Sequence, residues 1–127
     1  MAQPPGFEQQ VTFLSVADLD RSTKFYRDTL RLPLVLDQGD CRIFEITVTA
    51  FVAVCLRPDH VDPTGIIVTL VTDAVDEWHD RLTASGVTCD RPPNLNERYN
   101  IYQAFYRDPD GYLVEIQRFN DPAWPRP

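Results

Sequence analysis

A carboxylate four residues beyond a tight turn is the group in this chain best placed to do chemistry. Asp108-Pro109-Asp110-Gly111 is followed by Tyr112-Leu113-Val114-Glu115. Pro109 presets φ for the second turn position and Gly111 suits the last position of a type I turn, so the segment predicts a tight hairpin. Alternation along the strand that follows puts Tyr112, Val114 and Ile116 on one side and Leu113, Glu115 and Gln117 on the other. A carboxylate on an apolar strand face is desolvated and its pKa rises unless it is paired. Such a group anchors a cationic or hydrogen-bonding ligand, or takes a proton as a general base. The structural alternative is a carboxylate satisfied by a neighbouring Tyr, Gln or Arg.

The other reactive residue types are less well set. His60 stands in a Pro/Asp stretch and His79 beside the apolar stripe of a helix, with no HxxxH spacing to suggest a metal pair. Cys41, Cys55 and Cys89 form no CxxC; Cys41 and Cys55 read as small buried hydrophobes on strands, with no basic neighbour to make a thiolate. Arg98, Tyr99, Tyr102, Phe105, Tyr106 and Arg107 make an aromatic and basic cluster before the hairpin. It reads either as the wall of a pocket for a planar or anionic ligand, or as ordinary alternation on a packed strand.

The elements that must position these groups come in two similar halves. Val11 to Val16 reads as a strand, and Asp18 begins a helix carrying Phe25, Tyr26, Thr29 and Leu30. Pro33 stops it, and extended stretches follow at Leu34 to Asp37, Cys41 to Val48 and Phe51 to Leu56. Arg57 to Thr64 is a loop by its Pro and Asp content. The pattern then restarts: strand Ile66 to Val71, helix Asp73 to Ser85 with Trp78 in its core and Gly86 as C-cap, and extended stretches near Val87 to Cys89, Tyr99 to Arg107 and Tyr112 to Phe119. An offset of 55 lays Val11 on Ile66, Val16 on Val71 and Asp18 on Asp73. The expectation is one α+β domain over 1–127. It consists of a βαβββ module over about 8–57, a linker at 58–64, a second module over about 65–119 and a tail at 120–127. Leu14, Val16, Ile67, Val71, Tyr112, Val114 and Ile116 would lie under the helices. Val11, Phe13, Ser15, Val54, Leu56, Ile66, Val68, Leu70, Leu113, Glu115 and Gln117 would line a concave cup, with Tyr102 as an aromatic wall.

Composition narrows the function classes. The 127 residues are 43% hydrophobic and 24% charged, ordinary for one globular core. Twelve Lys and Arg against nineteen Asp and Glu give a net charge of −7, with no basic run to release counterions from phosphates, so nucleic acid is not an expected partner. No apolar run approaches the 18 or so residues a bilayer needs, the N-terminus has no signal-peptide pattern, and the odd cysteine count points to a reduced, cytoplasmic setting. No membrane partner is expected.

The stretch Val16-Ala-Asp-Leu-Asp-Arg-Ser22 with Phe25-Tyr26, the helix from Asp73 to Gly86, and Phe105-Tyr-Arg-Asp-Pro-Asp-Gly-Tyr-Leu-Val-Glu115 resemble the vicinal oxygen chelate superfamily of glyoxalases, extradiol dioxygenases and bleomycin resistance proteins. The resemblance spans nearly the whole chain and implies two βαβββ modules in a half-open barrel, commonly a homodimer, with a ligand or a divalent metal inside the cup. In metal-using members four side chains supply ligands, one from the first and one from the last strand of each module. Here those slots fall on Val11, on or beside Val54 (Cys55 if the strand slips by one), on Ile66 and on Glu115. Three aliphatic slots leave one carboxylate, too few donors for the usual zinc, manganese or iron geometry. The sequence therefore predicts no metal or other cofactor. It predicts a protein that sequesters an apolar or aromatic small molecule, cationic if net charge guides the choice, with Glu115 as polar anchor. The alternative is an enzyme of the same superfamily, a glyoxalase-like lyase or isomerase or a dioxygenase, using Glu115 as base or residual metal ligand.

Overall fold

The computed structural model describes residues 3–127. Eight strands and two helices follow in the order β1 (Gln10–Val16), α1 (Leu19–Thr23), β2 (Leu34–Asp37), β3 (Cys41–Thr47), β4 (Ala50–Leu56), β5 (Ile67–Val71), α2 (Val75–Ala84), β6 (Cys89–Asn96), β7 (Ile101–Arg107) and β8 (Leu113–Phe119). Helix α1 runs on as a π-helical segment, Lys24–Thr29, and Pro58–His60 forms a single 3-10 turn. The chain divides into two compact units, one ending at Val61 and one running from Asp62 to Pro127.

Each unit is a four-stranded mixed sheet with the same strand order, β1-β4-β3-β2 in the first and β5-β8-β7-β6 in the second. Each begins with a parallel pair joined across a helix and continues as antiparallel neighbours. This is the expected α+β class built from two βαβββ units.

In the first unit, Asp18 caps α1 by accepting from the Arg21 amide at 3.0 Å, satisfying a donor that the first turn leaves without an intrahelical partner. The helix packs Phe25, Tyr26 and Leu30 against Leu14, Val16, Phe44, Val52 and Val54, and all of these are buried. Tyr26 and Phe44 have ring centroids 5.9 Å apart. In the second unit, α2 contributes Val75 and Leu82 to a core with Val114 and Ile116, each at most 1% exposed. Trp78 is half-buried rather than in the centre of that core. Gly86, at φ 79°, ends α2, and the Val87 amide returns to the Leu82 carbonyl.

The repeat offset is 56, not 55. The helix caps are Asp18 and Ala74, and the expected start at Asp73 is one residue early. Thr72 makes up the difference: its Oγ1 accepts from the Ala74 amide at 3.1 Å, closing a small turn between β5 and α2. Strand β6 also runs farther than expected, through Pro92 and Pro93. It lies at a sheet edge, where missing amide donors are tolerated, and its pairing with β7 is irregular on both sides of Arg91.

Candidate functional site

The Asp108 to Gly111 turn sets the phase of everything on β8. Gly111 adopts φ 94°, and its amide donates to the Asp108 carbonyl at 3.0 Å. The buried Asp108 carboxylate accepts from the amides of Asp110 and Tyr112 at 3.0 and 2.9 Å. The hairpin so closed pairs Arg107 with Leu113, Phe105 with Glu115 and Gln103 with Gln117. Between them, Tyr106 pairs with Val114 and Ala104 with Ile116. These are the residues under α2, since the Tyr106 hydroxyl meets His79 Nδ1 at 2.7 Å. Leu113, Glu115 and Gln117 therefore project from the face turned away from α2, with Phe105 and Gln103 beside them.

The parallel partner strand completes the arrangement. Thr69 is in register with Glu115, and its hydroxyl donates to Oε1 at 2.8 Å. In the amide orientation that satisfies both groups, Gln117 Nε2 donates to Glu115 Oε2 at 2.7 Å and to Oε1 at 3.3 Å. Glu115 is only 8% exposed, and burial raises its pKa more than the Thr69 hydrogen bond lowers it. Among the described residues no cation pairs with it. The ion pairs of this unit lie elsewhere, at Arg81–Glu77, Arg107–Asp90 and Arg126–Asp73. The result is a buried carboxylate held by two neutral donors, with Phe105, Leu113 and two glutamines around it.

Register corrects the membership of this face. Val68 and Leu70 pair with Val114 and Ile116, so they lie under α2; Ile67, Thr69 and Val71 take the positions expected for Ile66, Val68 and Leu70. Ile67 and Val71 are thus not helix-covered residues, and both are half exposed. Tyr102 is likewise displaced: its hydroxyl donates to Asp76 of α2 at 2.6 Å and the Arg118 guanidinium lies 4.8 Å from its ring centroid. In the first unit Leu14 pairs with Val54 and Val16 with Leu56, which puts Val54 and Leu56 on the α1 side as well. Arg42, opposite Val54, confirms this by reaching Asp20 and Thr23 of α1, each at 3.0 Å. Phe13 and Ser15 project from the other side, in register with Ala53 and Cys55. The slip arises because parallel strands carry no hairpin turn from which to count, and apolar residues on both faces give no alternation.

The cysteine expectation is also corrected. Cys41 and Cys55 face each other across β3 and β4, with Cα atoms 4.1 Å apart, and form a disulfide. They are not thiols packed as small hydrophobes, and the cysteine argument for a reduced compartment falls with them. Only Cys89 is free, its thiol pKa pushed up by burial. His60 lies exposed on the 3-10 turn, and His79 is engaged with Tyr106. Trp124, in the tail, stacks on Phe119 at 3.7 Å between ring centroids. Arg126 donates to the Phe119 carbonyl at 2.7 Å, so the tail is folded onto its own unit.

The donor set decides how well a divalent metal fits. With the offset at 56, the first-strand position of the second unit becomes Ile67 instead of Ile66. Ala53, paired with Phe13 as Glu115 is with Thr69, replaces Val54 or Cys55. Val11, Ala53 and Ile67 have no donor atom, and no group of three or more His, Cys, Asp or Glu among the described residues is arranged to hold an ion. These residues do not fit the metal that other members of the resembling superfamily carry.

Two shallow clefts lie apart from Glu115. One of about 450 Å³ in the first unit is lined by Asp20, Thr23, Lys24, Arg27, Asp37 and Arg42. Its charges answer one another, as in Arg42–Asp20 at 3.0 Å. The other, about 280 Å³, lies between Tyr99, Phe119 and Trp124. Sequence reasoning missed Thr69 and Gln103. Gln103 was legible, since counting back from the predicted turn pairs it with Gln117; Thr69 needed the parallel register.

Residues 9–116 match the family model of the Glyoxalase/Bleomycin resistance protein/Dioxygenase superfamily. Over 120 residues the chain is 27% identical to the uncharacterized protein YraH of Bacillus subtilis (strain 168), covering 83% of this chain and 93% of that one. The structure of TioX from Micromonospora sp. ML1 aligns with a TM-score of 0.73 at 25% identity, over 87% of this chain and 97% of TioX. That of lactoylglutathione lyase from Agrobacterium tumefaciens aligns with a TM-score of 0.73 at 25% identity, over 91% and 95%. No helix among the described residues is long and apolar enough to cross a membrane. With the family model spanning both βαβββ units and the strand order repeated in each, the chain belongs to the Glyoxalase/Bleomycin resistance protein/Dioxygenase superfamily.

Proposed function

We propose that this protein is a metal-free binding member of its superfamily that sequesters an apolar or aromatic small molecule carrying a cationic amine. The observation that carries the reading is Glu115: a carboxylate 8% exposed, held by Thr69 and Gln117 and paired with no cation among the described residues. A buried carboxylate without a counter-charge is costly, and a cationic ligand that displaces water from it supplies both charge and hydrogen bond. Phe105 and Leu113 give the apolar surroundings such sites use, and the net charge of −7 favours approach of a cation. Val11, Ala53 and Ile67 support the metal-free part, because one carboxylate does not make a transition-metal site. Sequestration needs no catalytic step, and antibiotic resistance by sequestration is one biological use of it.

A second reading rests on the raised pKa of the same carboxylate. A buried glutamate with few donors is a competent general base, so proton abstraction from an apolar carbon acid is the enzymatic alternative.

The test combines metal analysis with a charged and an uncharged ring system. Protein purified without chelator is assayed by elemental mass spectrometry, then titrated with proflavine, cationic at neutral pH, and with acridone as the neutral counterpart. The expected result is metal far below one ion per chain and tighter binding of proflavine. One metal per chain, together with a rise in melting temperature on adding that ion, overturns the metal-free reading. Equal binding of the two rings overturns the cationic one.

A further inference from the structure

We propose that the Cys41–Cys55 bridge is a thiol–disulfide switch that sets the Arg42–Asp37 contact on the charged cleft of the first unit. The proposal is independent of the binding reading at Glu115. In the sheet order β1-β4-β3-β2 the bridge ties β3 to β4, while Asp37 stands opposite Arg42 on the other neighbour, β2. The Leu56 amide donates to the Asp40 carbonyl at 2.8 Å, so the next pair, Cys41 with Cys55, is of the non-hydrogen-bonded kind. Cα atoms of such pairs lie about 4.5 Å apart when nothing joins them. Here they are 4.1 Å apart. Arg42 follows directly. Its Nε is the one buried side-chain nitrogen or oxygen among the described residues with no hydrogen-bond partner. It lies 3.4 Å from Asp37 Oδ2, an ion pair but not a hydrogen bond.

The short Cα spacing and the long ion pair point the same way. Strand β4 is held on its far side by β1, with Ser15 in register with Cys55, so the start of β3 is what moves when the bridge opens. Away from β4 is toward β2, and a shift of a few tenths of an ångström brings Arg42 Nε within hydrogen-bond reach of Asp37. Asp37 is set to receive it: Oδ1 accepts from the Gly39 amide at 2.9 Å, leaving Oδ2 turned to Arg42. The guanidinium already donates from Nη1 to Asp20 and Thr23 of α1, so the new bond closes the β2–β3 corner on the helix across the cleft. Chemistry permits the opening. Cys41 is half-buried and Cys55 only 2% exposed, so a low-molecular-weight thiolate of the glutathione class attacks Cys41 Sγ. The S–S bond breaks, a mixed disulfide forms at Cys41, and Cys55 leaves as a thiolate that takes a proton. A second thiolate attacks the reagent sulfur of that mixed disulfide and frees Cys41, which is protonated in turn. The reagent's two thiols become one disulfide, and the protein's disulfide becomes two thiols. The remaining ladder pairs, from Arg42 with Val54 to Thr47 with Ala50, keep β3 on β4 without the bridge.

Thiol counting and arginine NMR test this on the full chain. Protein equilibrated without denaturant in millimolar glutathione, or in glutathione disulfide, is quenched with acid, labelled with N-ethylmaleimide in denaturant and weighed. Three labels are expected in the reduced protein, Cys89 included, and one in the oxidised protein. The far-UV circular dichroism should be the same in both. Exchange of the Arg42 Nε–H with solvent should slow roughly 10- to 150-fold on reduction, the range for one hydrogen bond to a charged partner. In Asp37→Asn, which keeps an oxygen for the Gly39 amide, the bridge should open as before and the slowing should be lost. The proposal is overturned if the bridge resists glutathione until denaturant is added or does not re-form in glutathione disulfide. Loss of the fold on reduction overturns it too, by making the bridge a structural staple. So does Nε–H exchange that is equal in the two forms, or slowing that survives in Asp37→Asn.

Discussion

Replacing Glu115 with glutamine separates the stability of this fold from its function. The substitution keeps shape and hydrogen-bonding capacity. Gln117, 2.7 Å from Oε2, still donates to a carbonyl oxygen, and the Thr69 hydroxyl, 2.8 Å from Oε1, rotates to accept from the new N–H. No buried group loses a partner; only the charge is removed. The folded protein then escapes the cost of a desolvated carboxylate, about 1 kcal/mol once the retained hydrogen bonds are allowed for, which is a gain of roughly 3 to 5 °C in melting temperature at neutral pH. Binding moves the other way. A hydrogen bond to a charged partner is worth about 1.5 to 3 kcal/mol, so Glu115→Gln should weaken proflavine by roughly 10- to 150-fold and leave acridone nearly unchanged. Calorimetric melting and fluorescence titration read the two effects independently. A variant that melts lower than the wild type would show the carboxylate to be a structural element, and unchanged proflavine affinity would remove it from the site.

Three further outcomes follow from named contacts. Burial raises the folded pKa of Glu115, so its protonated form is favoured in the folded state. The stability this contributes is fully present below the ordinary carboxylate range and lost as pH rises through the folded value, whereas binding of a cation gains over the same window; both slopes should vanish in Glu115→Gln, as pH-dependent melting and titration would reveal. Gly111→Ala should cost about 1 to 2 kcal/mol through backbone strain at φ 94°, because the added Cβ meets Pro63 only at an ordinary 3.6 Å; a urea midpoint equal to that of the wild type would contradict the turn geometry. Joining Cys41 to Cys55 closes a loop with a sequence separation of 14, so Cys41→Ser/Cys55→Ser should unfold about 3 kcal/mol more easily than the oxidised wild type and match the reduced one, a comparison that denaturation with and without reductant provides.

Sequence alone determined the features that rest on local rules. The βαβββ repeat, the stop at Pro33, the hairpin at Asp108 to Gly111 and the alternation on β8 are short-range consequences of proline, glycine and strand geometry. They placed Leu113, Glu115 and Gln117 together on one face before any partner strand was known. Tertiary structure decided what those rules cannot reach. One extra residue at Thr72 shifts the repeat by a position, and with a side-chain period of two that single step exchanges Ile66, Val68 and Leu70 for Ile67, Thr69 and Val71 on the face of Glu115. The same uncertainty in pairing hid the Cys41–Cys55 bridge and moved Val54, Leu56 and Tyr102 to the helix side of their sheets. A chain with apolar residues on both faces of its strands does not say which face is which; the hydrogen-bonded ladder does.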